Sequence, residues 1–151
     1  MGNAKKETKK ERRSTHISQW AAQFAVASEL VKRGYEVAFT MGNHPKKDLL
    51  VVSPSGAPFA IDVKGLHDKT NFSVSSRPSI TDLFYVLVHV PTGAANSFFV
   101  LTHAEVNECI ESATEAWRAK NDVPTTTVDT WPIIKWADAQ RFKDAWDKFP
   151  K

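Results

Sequence analysis

In HISQWAAQFAVASELVKRGY apolar side chains recur every three or four residues, at Ile17, Trp20, Phe24, Ala27 and Val31, a spacing that predicts a helix. Ser14 or Thr15 is placed to cap its start, and Gly34 to end it in a left-handed turn. Val26 and Leu30 fall on the opposite side, so the pattern predicts a helix covered on more than one face. The rhythm then shortens. YEVAFTM, DLLVV, PFAIDVKG, DLFYVLVHV and SFFVLT read as strands, separated by the polar links GNHPKK, SPSGA, HDKTNFSVSSRPS and PTGAAN. SPSGA has the composition of a hairpin loop. THAEVNECIESATEAWRAK predicts a second helix opened by a capping box of Thr102 and Glu105. NDVPTTTVDT reads as a loop, WPIIKW as a short strand or turn, and ADAQRFKDAWDKF as a final amphipathic helix. The order α-β-β-β-β-β-α-(β)-α predicts an α/β (α+β) domain in which helices flank a mixed central sheet.

Composition and charge refine this. The chain of 151 residues carries a formal charge of +3, unevenly spread. Residues 1 to 15 hold six Lys/Arg against two Glu, a balance of +4, and the remainder holds 14 basic against 15 acidic residues, a balance of −1. Residues 1–14 therefore read as a disordered basic tail and 15–151 as a single domain. Such a tail attracts polyanions. No apolar run is long enough to span a bilayer and no signal-peptide pattern opens the chain. The single Cys109 excludes an internal disulfide and a cysteine-based zinc cage, so a cytoplasmic protein is expected.

The chemistry lies in DLLVVSPSGAPFAIDVKG, where both strands carry charge at the same end. If the hairpin pairs Val52 with Pro58, Asp48 falls opposite Asp62, and Lys64 shares the face of Asp62. Two carboxylates so close repel unless a cation lies between them. Hard oxygen ligands suit Mg²⁺ or Mn²⁺, the Val63 carbonyl is positioned to complete the set, and Lys64 to orient a nucleophile and stabilise developing charge. Metal-assisted phosphodiester hydrolysis uses all of these groups.

Gln23 on the first helix, Asp48 after the Pro45-containing loop and Asp62-x-Lys64 on the next strand resemble the PD-(D/E)XK nuclease superfamily. Within it, the likeness is to the restriction-endonuclease-like and archaeal Holliday junction resolvase-like branch, and it covers roughly residues 16 to 149 in order. AAQFAVASELVKRGYEV resembles the first helix and strand of that branch, and GNHPKKDLLVV the segment bearing the first acid. The resemblance implies a restriction-endonuclease-like sheet and a metal-dependent endonuclease acting on DNA. It also implies metal binding by Asp48, Asp62 and the Val63 carbonyl, catalysis by Lys64 with Gln23 in the site, and a homodimer. Gln23 stands where the family often has Glu.

His44, Lys46 and Lys47 border the first acid and are candidates for contact with nucleic acid, as are Lys69 and Arg77 in the later polar link. His67-Asp68 lacks a matching nucleophile, and Trp117, Trp131, Trp136 and Trp146 fit core positions. The alternatives are a nuclease fold that binds nucleic acid or a partner without cutting, and an interaction protein whose charged strand ends keep a sheet edge soluble.

Overall fold

A computed structural model describes residues 13–75, 80–124 and 132–151. In chain order the elements are α1 (Thr15–Lys32), β1 (Glu36–Phe39), β2 (Leu49–Val52), β3 (Pro58–Leu66), β4 (Phe72–Ser73), β5 (Leu83–His89), β6 (Ser97–Thr102), α2 (His103–Asn121), β7 (Ile133–Ile134) and α3 (Trp136–Ala139). The fold is mixed α/β. Five strands form one sheet in the order β1-β2-β3-β5-β6, antiparallel throughout except for the parallel pair β3–β5, and β4 pairs with β7 separately.

Two layers of core enclose the sheet. On one face Ala22, Val26 and Leu30 of α1 meet Leu49, Val51, Ile61 and Val63. On the other, Val106, Cys109 and Ile110 of α2 meet Leu83, Tyr85, Leu87, Phe99 and Leu101. All seven residues of β5 are buried, which explains its unbroken apolar run. Among the described residues no helix is long and apolar enough to cross a membrane.

The SPSGA loop sets the expected register, Val52 with Pro58 and Leu49 with Ile61. Its closure rests on the Ser53 N–H donating to the Ala57 carbonyl at 2.9 Å. The expected capping box is present at α2: the Thr102 hydroxyl accepts from the Glu105 N–H at 3.2 Å, and the Glu105 carboxylate from the Thr102 N–H at 2.8 Å. At α1 the cap position is Ser14, whose side chain makes no capping bond, and Gly34 adopts the left-handed φ of +86°.

Two expectations are corrected. The face of α1 that meets the sheet is Ser18, Ala22, Val26 and Leu30, whereas Ile17, Phe24 and Val31 are exposed. The helix bears two apolar stripes, and periodicity alone does not rank them. The predicted final helix is a single turn, α3, followed by two 3-10 turns. Lys143 bridges to Phe99, and the Asp144 N–H donates to the Phe98 carbonyl at 2.9 Å with Asp144 at φ +52°. Backbone pairing to the free edge of β6 overrides the helical pattern there. Lys148 then closes on Glu105 at 2.7 Å, and Phe149 packs among Tyr35, Phe59 and Phe84.

Candidate functional site

β2 starts at Leu49, but β3 continues beyond Ile61, its last partner there, to Leu66. The far half of β3 thus has no strand beside it on the β2 side, and buried backbone groups need partners. Side chains provide them. Asp48, the residue just before β2, accepts the Val63 N–H on Oδ2 at 2.7 Å. Gln19 of α1 donates from Nε2 to the Val63 carbonyl at 2.6 Å and accepts the Gly65 N–H on Oε1 at 3.2 Å. Gln23, one turn on, donates from Nε2 to Asp48 Oδ1 at 3.2 Å.

The helix lies against this edge because residue 65 has no Cβ. A Cβ there would stand 2.5 Å from the Ser18 carbonyl oxygen and 2.7 Å from the Ala22 Cβ, both inside van der Waals contact. Gly65 and Ala22 therefore set the approach of α1 that delivers Gln19 and Gln23. The Asp48 backbone is fixed as well: its N–H donates to the Ile61 carbonyl at 2.9 Å, and its carbonyl accepts from the Thr40 N–H at 3.1 Å.

Alternation along β3 sends Asp62 and Lys64 to the face opposite Val63. Asp62 is fully buried, and the Lys64 ammonium lies 2.7 Å from its Oδ1 while remaining one-third exposed. A buried carboxylate costs several kcal/mol in lost hydration unless a countercharge offsets it, and Lys64 supplies that charge. The lysine is therefore a bridge between a dry acid and solvent.

Of the residues singled out in the sequence, Gln23, Asp48 and Val63 are joined by hydrogen bonds, and Asp62 and Lys64 by an ion pair on the same strand. His44 and Lys46 are exposed on the loop before Asp48, where the His44 ring contacts the Pro45 carbonyl at 3.1 Å. Lys47 is half-buried, and its carbonyl accepts from the Thr40 hydroxyl at 2.8 Å. Lys69 is drawn elsewhere, its ammonium 5.6 Å from the centre of the Trp136 ring. Arg77 and Trp131 lie outside the described residues. Gln19 was missed in the sequence. Its signal was the four-residue spacing to Gln23, which places both amides on one helix face.

A groove of about 550 Å³ lies on the β2–β3 face away from α1, and its lining includes Lys47, Leu50, Val52, Ala60, Ile80 and Asp82. Ala60 precedes Asp62 by two residues, so both belong to one face of β3.

The candidate oxygen donors are the Asp48 carboxylate and the Val63 carbonyl at this edge, with the Asp62 carboxylate on the opposite face of β3. That set has the hardness Mg²⁺ or Mn²⁺ requires, and Mg²⁺ takes one or two carboxylates with water and substrate filling the rest. Among the described residues no group of three or more His, Cys, Asp or Glu side chains is arranged to hold a metal ion. Two carboxylates and a carbonyl match in kind the partial oxygen shell that such an ion takes from protein. No family model, curated protein or solved structure matches the chain.

Proposed function

We propose that this chain is a metal-dependent endonuclease that hydrolyses phosphodiester bonds in DNA. The observation that supports it most is that Gln23 of α1 holds Asp48, Asp48 accepts the Val63 N–H of β3, and the residues on either side of Val63, Asp62 and Lys64, form an ion pair on the other face of that strand. The resemblance to the PD-(D/E)XK superfamily assigns the same residues. Asp48, Asp62 and the Val63 carbonyl would hold the divalent ion. The chemistry supplied there would be Lewis acidity toward the phosphoryl group and toward a water. Gln23 fixes the rotamer of Asp48. Lys64, anchored at Asp62 yet open to solvent, orients the attacking water and offsets charge on the phosphoryl oxygens. Lys47, Lys46 and His44 lie on the approach to Asp48 and contact backbone phosphates.

A second reading has its own support. Both Asp48 oxygens and the Val63 carbonyl already accept hydrogen bonds, Gln23 brings no charge, and Asp62 is neutralised by Lys64. A nuclease fold that binds nucleic acid without cutting it has such a self-satisfied centre. Incubating supercoiled plasmid with purified protein and Mg²⁺ or Mn²⁺ separates the two. Cleavage that disappears in Asp62→Asn and Lys64→Ala, with folding retained, supports the enzyme. Binding by wild type without cleavage supports the silent fold. Equal nicking by wild type and both variants sinks the catalytic assignment.

A further inference from the structure

Phe24 is 59% exposed in the middle of α1, and its ring does not stand alone. The Trp20 ring lies 5.8 Å from it, the His16 ring 6.2 Å beyond Trp20, and the Phe39 ring of β1 5.2 Å away on the other side. Four rings thus form one row from the first turn of α1 to the end of β1. The Trp20 Nε1–H donates to His16 Nε2 at 3.1 Å, which sets the indole plane in advance. Rings held in this way lose little freedom when a ligand stacks on them. The row also runs beside the residues of the proposed site. Trp20 precedes Gln23 by three residues and stands about 60° from it around the helix. Phe39 pairs across the sheet with Leu49, the neighbour of Asp48, and both pack on the α1 side.

The charges around the row identify its ligand. No Asp, Glu, Lys or Arg occurs from Ser14 to Ser28, so no carboxylate of that stretch opposes a phosphate. Cations stand at the two ends instead. Arg13 precedes the helix, within a 15-residue start that holds six Lys/Arg against two Glu. Beyond Phe39, the loop leading to Asp48 exposes Lys46. Neutral ring faces between two basic ends suit a single strand, whose bases stack on the rings while its backbone follows the cations. A duplex does not fit in this way. Its bases already cover one another's faces at steps of about 3.4 Å, whereas the rings here are 5.2 to 6.2 Å apart. We propose that Trp20, Phe24 and Phe39 form a stacking platform for unpaired bases, so that the DNA strand reaching Asp48 is single-stranded or frayed on that side. The inference rests on the nucleic-acid reading of the site and adds the form of the substrate.

The test reads binding apart from cutting. Fluorescence anisotropy in EDTA compares a labelled oligothymidylate with the same strand annealed to its complement, using the full chain. Wild type is expected to bind the single strand at least about fivefold more tightly, the worth of one stacked base. Phe24→Leu keeps an apolar side chain but removes the ring face. It is expected to lose about that factor for the single strand, with duplex affinity, salt slope, circular dichroism and Tm unchanged. Phe24→Tyr is expected to bind as wild type does. Equal affinity of wild type for the two forms overturns the inference. So does a Phe24→Leu protein that binds the single strand normally; if its mass by light scattering also changes, the row is a protein contact instead. The two readings fail separately. Single-strand binding through Phe24 without plasmid cleavage in Mg²⁺ or Mn²⁺ supports the platform and overturns the enzyme. Cleavage of duplex that Phe24→Leu leaves unchanged, with no preference for the single strand, supports the enzyme and overturns the platform. A wild type that binds neither form overturns both.

Discussion

Replacing Gly65 with Ala tests how the site is assembled. The added methyl would stand 2.5 Å from the Ser18 carbonyl oxygen and 2.7 Å from Ala22, against ordinary contacts beyond 3.4 Å. The nearest atom belongs to helix backbone, so no rotamer change relieves it and α1 must retreat by most of an ångström. Forcing a methyl into a packed site costs about 1–3 kcal/mol. The retreat also loosens the two hydrogen bonds that Gln19 makes to Val63 and Gly65, each worth about 1 kcal/mol. Removing a glycine restricts the unfolded chain and returns about 0.4–1 kcal/mol. The net loss is about 2–4 kcal/mol, and for a chain of this size that lowers Tm by roughly 5–15 °C. Urea denaturation followed by circular dichroism measures it directly. Ala22→Gly in the same background is expected to restore only a minor part, because the Ser18 carbonyl still opposes the methyl. A Gly65→Ala protein within about 0.5 kcal/mol of wild type refutes the reasoning, since such values are typical of surface changes without structural consequence.

Lys64→Met strands the buried Asp62 carboxylate and is expected to cost about 2 kcal/mol, below the range for fully buried pairs because Lys64 is one-third exposed. Adding Asp62→Asn should recover part of that loss in a denaturation cycle; strict additivity of the two changes contradicts the pairing. Burial pushes the Glu105 carboxyl up, but hydrogen bonds from Lys148 and Thr102 outweigh it and hold the group below its usual range. Its contribution is thus complete above the ordinary Glu value near 4.3 and is lost as pH falls through the lower folded value. The stability gap between wild type and Lys148→Met, constant at neutral pH, should shrink in acid denaturation below about pH 4. Thr102→Ala removes the α2 cap and should cost about 1 kcal/mol in urea unfolding.

Local chemistry was readable wherever neighbours in sequence decide the outcome. SPSGA fixed the hairpin register because a five-residue loop admits few pairings, and the Thr102–Glu105 box needed only its own four residues. The triplet Asp62-Val63-Lys64 was found on its strand for the same reason: alternation and burial follow from the run around it. What escaped depends on distant partners. Which stripe of α1 meets the sheet is decided by Gly65, far along the chain, and the fate of residues 140–149 by the open edge of β6. The short β4 lay hidden in a polar link because two residues carry no period, and its partner β7 comes some sixty positions later. Gln19 escaped because an amide filling in for a missing strand leaves no mark in composition.

That substitution of side chains for a strand has a protective side. An uncovered run of backbone donors and acceptors invites a foreign chain to zip alongside it, the first step toward aggregated sheet. Between them Asp48 and Gln19 occupy the Val63 and Gly65 groups that such an intruder would need. The residues at the proposed catalytic edge thus also guard the solubility of the folded chain.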